Sequence, residues 1–200
     1  LAQAQPVPKK TSPTREYPSL PPDLVEKKSN DPAATIPTPN VPEKPWGLPV
    51  GIPFYFEVKE GIAATGHRPD PEGLDWLKSR GFQTVLQLRK PGADPSSDRQ
   101  QIEKRGLHYL DLEVSAATFG RTLLEDFTRI LQDKSKQPVF VYDADGTLAG
   151  PMWYAYLRLV EKLPADLARS RAELYGFKET GTQERVALAE AVKILLEKDP

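Results

Sequence analysis

Residues 50–200 predict an α/β domain, a mainly parallel central sheet flanked by helices. Three observations carry this expectation. Short aromatic or β-branched runs alternate with longer amphipathic ones from residue 54 onward. One run, Val139-Phe140-Val141-Tyr142, is apolar throughout, the pattern of a strand covered on both faces. The first 49 residues lack any such period and hold twelve of the chain's 21 prolines. They cannot bury enough apolar surface to offset their conformational entropy, so residues 1–49 read as a disordered or polyproline-II linker. Near its end, Val41, Trp46, Leu48 and Val50 offer apolar groups that could dock on the domain.

The elements follow in order. Phe54 to Val58 reads as a strand, and Gly61 to Ala64 as a second, shorter one. Pro71 to Arg80 reads as a helix, with Asp70 as N-cap, Pro71 in its first position and Gly81 at its end. Thr84 to Leu88 is a strand. Ser96 to Arg105 is a helix stopped by Gly106, and His108 to Leu112 is a strand. Arg121 to Asp133 places Leu123, Leu124, Phe127, Ile130 and Leu131 on one helical face. After the strand Val139–Tyr142 come helices from Pro151 to Leu163, from Ala165 to Tyr175 and from Gln183 to Lys198, the last with Leu188, Val192 and Leu195 inward.

Bulk properties exclude several classes. The formal net charge of -1 gives no general attraction to nucleic acid or anionic membranes. No apolar run approaches the ~18 residues of a membrane span. The absence of cysteine rules out disulfides, thiolate metal sites and a thiol nucleophile. Ala2-Gln3-Ala4 has the small-x-small form of a secretory cleavage site, which raises an expectation of export; otherwise the cytoplasm is expected.

In open α/β sheets ligands bind beyond the carboxyl ends of the strands, which directs attention to Asp143–Gly150. A central strand runs into a tight, Gly-containing loop and then a helix, so backbone N–H groups converge on one spot, an anion site. The stretch Tyr142-Asp143-Ala144-Asp145-Gly146-Thr147-Leu148-Ala149 resembles the phosphate-binding loop of the cysteine-dependent protein phosphatases. Tyr142 stands at the His position of that loop, Asp143 at the nucleophilic Cys, Gly146 at the central Gly and Ala149 at the Arg. Ala63-Ala64-Thr65-Gly66-His67-Arg68-Pro69, Gly81 to Arg89, Gly106 to Val114 and Ala168 to Gly176 resemble, in the same order, elements of a bacterial dual-specificity-phosphatase-like family. The resemblance covers roughly residues 55 to 180. It implies a cysteine-phosphatase fold, with His67 and Arg68 near the ligand pocket.

The departures fall on the chemistry. Asp143 is not a thiolate, Ala149 offers no guanidinium clamp, and Ser115-Ala116-Ala117-Thr118 holds no carboxylic acid where the family's general acid is expected. Carboxyls ordinarily titrate near 4, and a like charge about 4 Å away at an effective dielectric near 20 costs about 4 kcal/mol. Asp143 and Asp145 therefore disfavour a phosphate dianion. The expected function is a catalytically inactive phosphatase-like domain that binds or scaffolds an unknown protein or a small anionic ligand, with no cofactor. An alternative rests on Asp143-Ala144-Asp145-Gly146-Thr147, which matches the first motif of the haloacid-dehalogenase superfamily. That resemblance implies a metal-dependent phosphohydrolase with Asp143 as nucleophile, Asp145 as general acid and Mg²⁺ held by the two carboxylates. A third reading is structural: Asp143 accepts loop N–H bonds and caps the next helix, plugging the anion cradle. Trp153, Tyr154 and Tyr156 read as core, His108 as structural, and Arg121 as a possible stand-in for the lost Arg.

Overall fold

The computed structural model describes residues 49–198. Residues 1–48, and with them nearly all of the Pro-rich arm including Val41, Trp46 and Leu48, lie outside the described residues. The elements run β1 (Phe56–Lys59), β2 (Ile62–Ala64), α1 (Pro71–Ser79), β3 (Thr84–Arg89), α2 (Ser96–Glu103), β4 (His108–Glu113), α3 (Arg121–Gln132), β5 (Val139–Tyr142), α4 (Ala149–Leu159), α5 (Ala165–Leu174) and α6 (Gln183–Lys198). The strands form one sheet in the order β1-β2-β5-β3-β4. β2, β5, β3 and β4 are mutually parallel, and β1 lies antiparallel at the edge. The expected α/β architecture, a mainly parallel sheet flanked by helices, is what the chain adopts. Among the described residues no helix is long and apolar enough to cross a membrane.

Both sheet faces are covered. On one, Leu74 and Leu77 of α1 and Ile102 of α2 pack against Val85, Phe140 and Tyr142. On the other, α3 to α6 pack over Leu86, Leu88 and Val141. Trp153 and Tyr156 of α4 are fully buried there and meet Phe127 of α3 edge-on, at ring separations of 5.1 and 5.8 Å. Each such side chain contributes about 1.5–3 kcal/mol by leaving water, so this aromatic cluster is a main tie between α3 and α4. The N-cap of α1 is as expected, Asp70 Oδ1 accepting from the Gly73 N–H at 2.8 Å.

The bounds of β1 and α4 depart most from the sequence reading. β1 begins at Phe56 rather than Phe54, because Phe54 follows Pro53 with φ of +50°, outside the extended region. α4 begins at Ala149, before Pro151, and ends at Leu159 rather than Leu163. Its early start is permitted because Pro lacks only an N–H that a first-turn residue does not use within the helix. Its early end is set by Lys162 at φ +55° and by Pro164 beyond it.

Candidate active site loop

The loop between β5 and α4 stands at the carboxyl end of the central strand. Tyr142 closes β5 with its ring in the core, and its hydroxyl donates to Asp98 Oδ2 at 3.0 Å. Asp98, in the first turn of α2, also accepts from Gln87 Nε2 at 2.5 Å and pairs with Arg68 at 3.1 Å. Gln87 Oε1 in turn accepts from the Tyr109 hydroxyl at 2.6 Å. Burial pushes both phenols well above their ordinary range, so they act as neutral donors.

Asp143 is fully buried. Its Oδ1 accepts from the Gly146 N–H at 2.8 Å, and its Oδ2 accepts from the N–H groups of Leu148 at 2.7 Å and Ala149 at 3.2 Å. This is the capping arrangement considered for it in the sequence. The converging amides, which would face an external anion, instead hold the chain's own carboxylate. Burial raises the carboxyl to about 6; the three amides pull the other way, and neighbouring Asp145 adds to the rise. At pH 7 the group is ionised, with both oxygens turned into the loop.

Asp145 points outward, its side chain 63% exposed, and accepts from the Thr147 N–H at 2.9 Å. Burial of the group acts to raise its carboxyl, but the bonds from Thr147 and the charges of Arg185 and Lys90 outweigh it and hold it below the ordinary range. The two carboxylates of the sequence motif thus face different surroundings. Among the described residues no group of three or more His, Cys, Asp or Glu is placed to hold a metal ion.

The remaining predicted pocket residues are drawn in as follows. His67 runs antiparallel beside Asp145 as an isolated bridge, its ring 5.2 Å from that of Phe54. Arg68 is turned to Asp98, with its side chain 59% exposed. Thr147, Leu148 and Ala149 are buried and Ala144 is exposed. Ser115 and Thr118 close on each other, hydroxyl to hydroxyl at 2.9 Å, so the loop after β4 is a self-contained turn. Arg121 opens α3 and lines a groove with Leu159 and Lys162 at the far end of α4.

Sequence reasoning did not single out Gln87, Asp98, Lys90 or Arg185. Arg185 of α6 is the most consequential. Its guanidinium donates to the carbonyls of Gly176 at 2.9 Å and Asp145 at 2.8 Å, clasping the loop to the turn after α5. The adjacent Glu184 pairs with Lys90 at the end of β3. Beneath the clasp the backbones touch. Gly146 has φ +78°, and a Cβ on it would stand 2.9 Å from the Gly176 Cα, while one on Gly150 would stand 2.1 Å from the Phe177 nitrogen. Only glycine allows this approach. A Gln inside the apolar strand Thr84–Leu88 was a usable signal for the polar hub; nothing local marked Arg185.

A mainly parallel sheet with an antiparallel edge strand, and a tight loop from its central strand into a buried helix, is the arrangement that the resemblance to the cysteine-dependent phosphatases implies, and the chain is a phosphatase-like domain. The chain belongs to the family described as a dual-specificity/tyrosine phosphatase (DSP-PTPase) fused to NAD+ kinase, whose model matches residues 53–189. It is 23% identical over 107 residues to a rice (Oryza sativa subsp. japonica) protein named "Probable NAD kinase 2, chloroplastic", a match that spans 49% of this chain and 11% of that protein. The core catalytic domain of the PP-IP phosphatase SIW14 from S. cerevisiae superposes with a TM-score of 0.57 at 15% identity, covering 74% of this chain and 94% of that one. P. aeruginosa TpbA superposes with a TM-score of 0.54 at 16% identity, covering 70% and 83%. At these identities the two structures establish the fold.

Proposed function

We propose that this chain is a catalytically silent phosphatase-like domain that works as a binding module, with an NAD kinase as its partner. The observation that carries the reading is the Asp143 carboxylate, fully buried and held by three loop amides. A nucleophile must reach the substrate with a free lone pair. Here both carboxylate oxygens are engaged inside the loop, which speaks equally against an aspartate acting on a phosphate ester. The missing clamp at Ala149 and the carboxyl-free turn at Ser115–Thr118 support the same reading. So do the charges at the mouth. Arg68 faces Asp98, Arg89 faces Asp111 and Glu113, Lys90 faces Glu184, and Arg185 faces Asp145, leaving little net field to draw in a phosphate.

An NAD kinase is proposed as partner because the family joins this domain to such a kinase, and the rice relative carries that name. Phe54, 64% exposed and with its ring near that of His67 beside the loop, offers an apolar contact, and Val50 is 61% exposed as well. Phe54 is held at a positive φ that costs a non-glycine residue about 1–2 kcal/mol, a strain typical of functional positions. In this reading residues 1–49 serve as a tether.

Turnover of an aryl phosphate tests the proposal. The protein is expected to show none with or without Mg²⁺. Hydrolysis that is abolished in Asp143→Asn would overturn it, and a requirement for Mg²⁺ would identify an aspartate phosphohydrolase.

A further inference from the structure

We propose that β4 is a dimerisation edge, along which a second copy of this chain lays its own β4 antiparallel and joins the two sheets into one. The two edges of the sheet are built differently. β1, at one edge, is four residues long, slips register between Glu57 and Lys59 and carries that lysine, features that keep an edge from pairing. β4, at the other, is six residues long, keeps register with β3 at every one of them and has neither lysine nor proline. The His108 N–H donates to the Gln83 carbonyl at 2.8 Å, and the Val114 N–H to that of Arg89 at 2.9 Å. Main-chain groups alternate along a strand, so those of Tyr109, Asp111 and Glu113 face away from β3. No further strand among the described residues takes them. Leu110 and Leu112 beside them are only half-buried, at the margin of the core.

The sequence of β4 is complementary to itself. With Asp111 at the two-fold axis, Tyr109 of each copy stands opposite Glu113 of the other, and Asp111 opposite its own counterpart. Each of these pairs exchanges two main-chain hydrogen bonds. On one face, Leu110 of each copy then lies opposite Leu112 of the other, and the leucines cover one another. On the other face, the half-exposed Arg99 guanidinium sits 5.2 Å from the centre of the Tyr109 ring. Glu113, also half-exposed, lands opposite that ring, so Arg99 of each copy faces Glu113 of the other. Within each copy Arg89 holds Asp111 at 2.5 Å and Glu113 at 2.7 Å. The two Asp111 carboxylates therefore approach with cations already beside them. Because the paired strands run in opposite directions, the two loops 143–149 emerge at opposite ends of the joined sheet, and the dimer is bivalent.

The test is sedimentation equilibrium of the full chain over about 1 to 500 µM. The wild type is expected to pass from monomer to dimer with a dissociation constant on the order of 1–100 µM, since one strand edge is a small interface. Glu113→Ala keeps the N–H and loses the ion pairs, and should weaken association about two- to tenfold. Glu113→Pro also removes the outward N–H, which the monomer does not use, and should be monomeric throughout. A wild type that stays monomeric leaves the edge to some other strand and overturns the proposal. So does a Glu113→Pro chain that dimerises as Glu113→Ala does. Should the proline variant not fold, hydrogen exchange in the wild type supplies the measurement. The Tyr109, Asp111 and Glu113 amides are expected to slow severalfold as concentration rises, while those of Leu110 and Leu112, which face β3 in the monomer, change less. Outward amides indifferent to concentration overturn the proposal.

Discussion

Between pH 4 and pH 8 the stability of the protein relative to its Asp143→Asn variant is expected to fall by about 2.5 kcal/mol. The folded chain holds the Asp143 carboxyl at about 6, against an ordinary 3.8. That is about 2 pKa units at 1.36 kcal/mol each. Because the folded value is the higher one, the native state binds the proton more tightly than the unfolded chain. The contribution to stability is complete below pH 3.8 and is lost as pH rises through about 6. Above about pH 7 the difference should be flat. Burial drives the effect, and the three amide donors only reduce it. Other carboxyls held low, Asp94 by the Ser96 hydroxyl and amide and Asp133 by Lys136 and then by the Ser135 hydroxyl and amide, are common to both proteins and cancel in the difference. Urea unfolding in half-unit pH steps, followed by the fluorescence of buried Trp153, supplies the measurement. A difference that rises with pH would refute the reasoning, since it would mean that the amide cradle outweighs burial and holds the carboxyl low.

Other perturbations read the same architecture. Gly150→Ala places a Cβ 2.1 Å from the Phe177 nitrogen and is expected to cost about 3 kcal/mol or more; a loss below about 1 kcal/mol in urea unfolding would contradict the close approach. Arg185→Ala should cost about 1.5–3 kcal/mol and speed hydrogen exchange at the Gly146 and Thr147 amides. Lys90→Ala, which breaks a surface pair, should cost less than about 1 kcal/mol, and equal losses in the two would remove the special role of Arg185. Asp98→Ala strands Gln87, Tyr142 and Arg68 and should cost about 2–3 kcal/mol, against about 1 kcal/mol for Tyr142→Phe. If the two prove equally mild, Asp98 is not a hub.

Much of the fold was legible in the sequence because strand and helix periods are local properties. Val139–Tyr142 reads as a covered strand from its composition and is buried at every position. Asp70 and Pro71 announce α1, and the cap is formed. The misplaced ends have local causes that composition conceals. Phe54 favours a strand by propensity, but its positive φ follows from anchoring of the preceding turn, where the Thr65 hydroxyl donates to the Pro53 carbonyl and the Asp70 N–H to that of Gly51 at 2.9 Å. At the site, the register of Tyr142, Asp143, Gly146 and Ala149 could be read in the chain because the loop is contiguous. The capping role of Asp143 was legible too, its partners lying three to six residues on. Asp98 and Arg185 were not, since their partners lie 44 and 40 residues away and are chosen by packing rather than by neighbours.

The clasp by Arg185 has a consequence for the order in which the molecule is assembled. Its contact with Asp145 closes a separation of 40 residues and is made by α6, the last helix among the described residues. It cannot be made until that helix is available, whatever the entropy of closing the intervening chain. During synthesis the sheet and α4 can be in place while α6 is still inside the ribosome. The loop then lacks its outer tie and the turn at Gly176 lacks its guanidinium. A chain that has not yet released α6 therefore carries both an unlatched loop and a core face that still lacks Leu188, Val192 and Leu195, so one late helix completes the packing and the latch together.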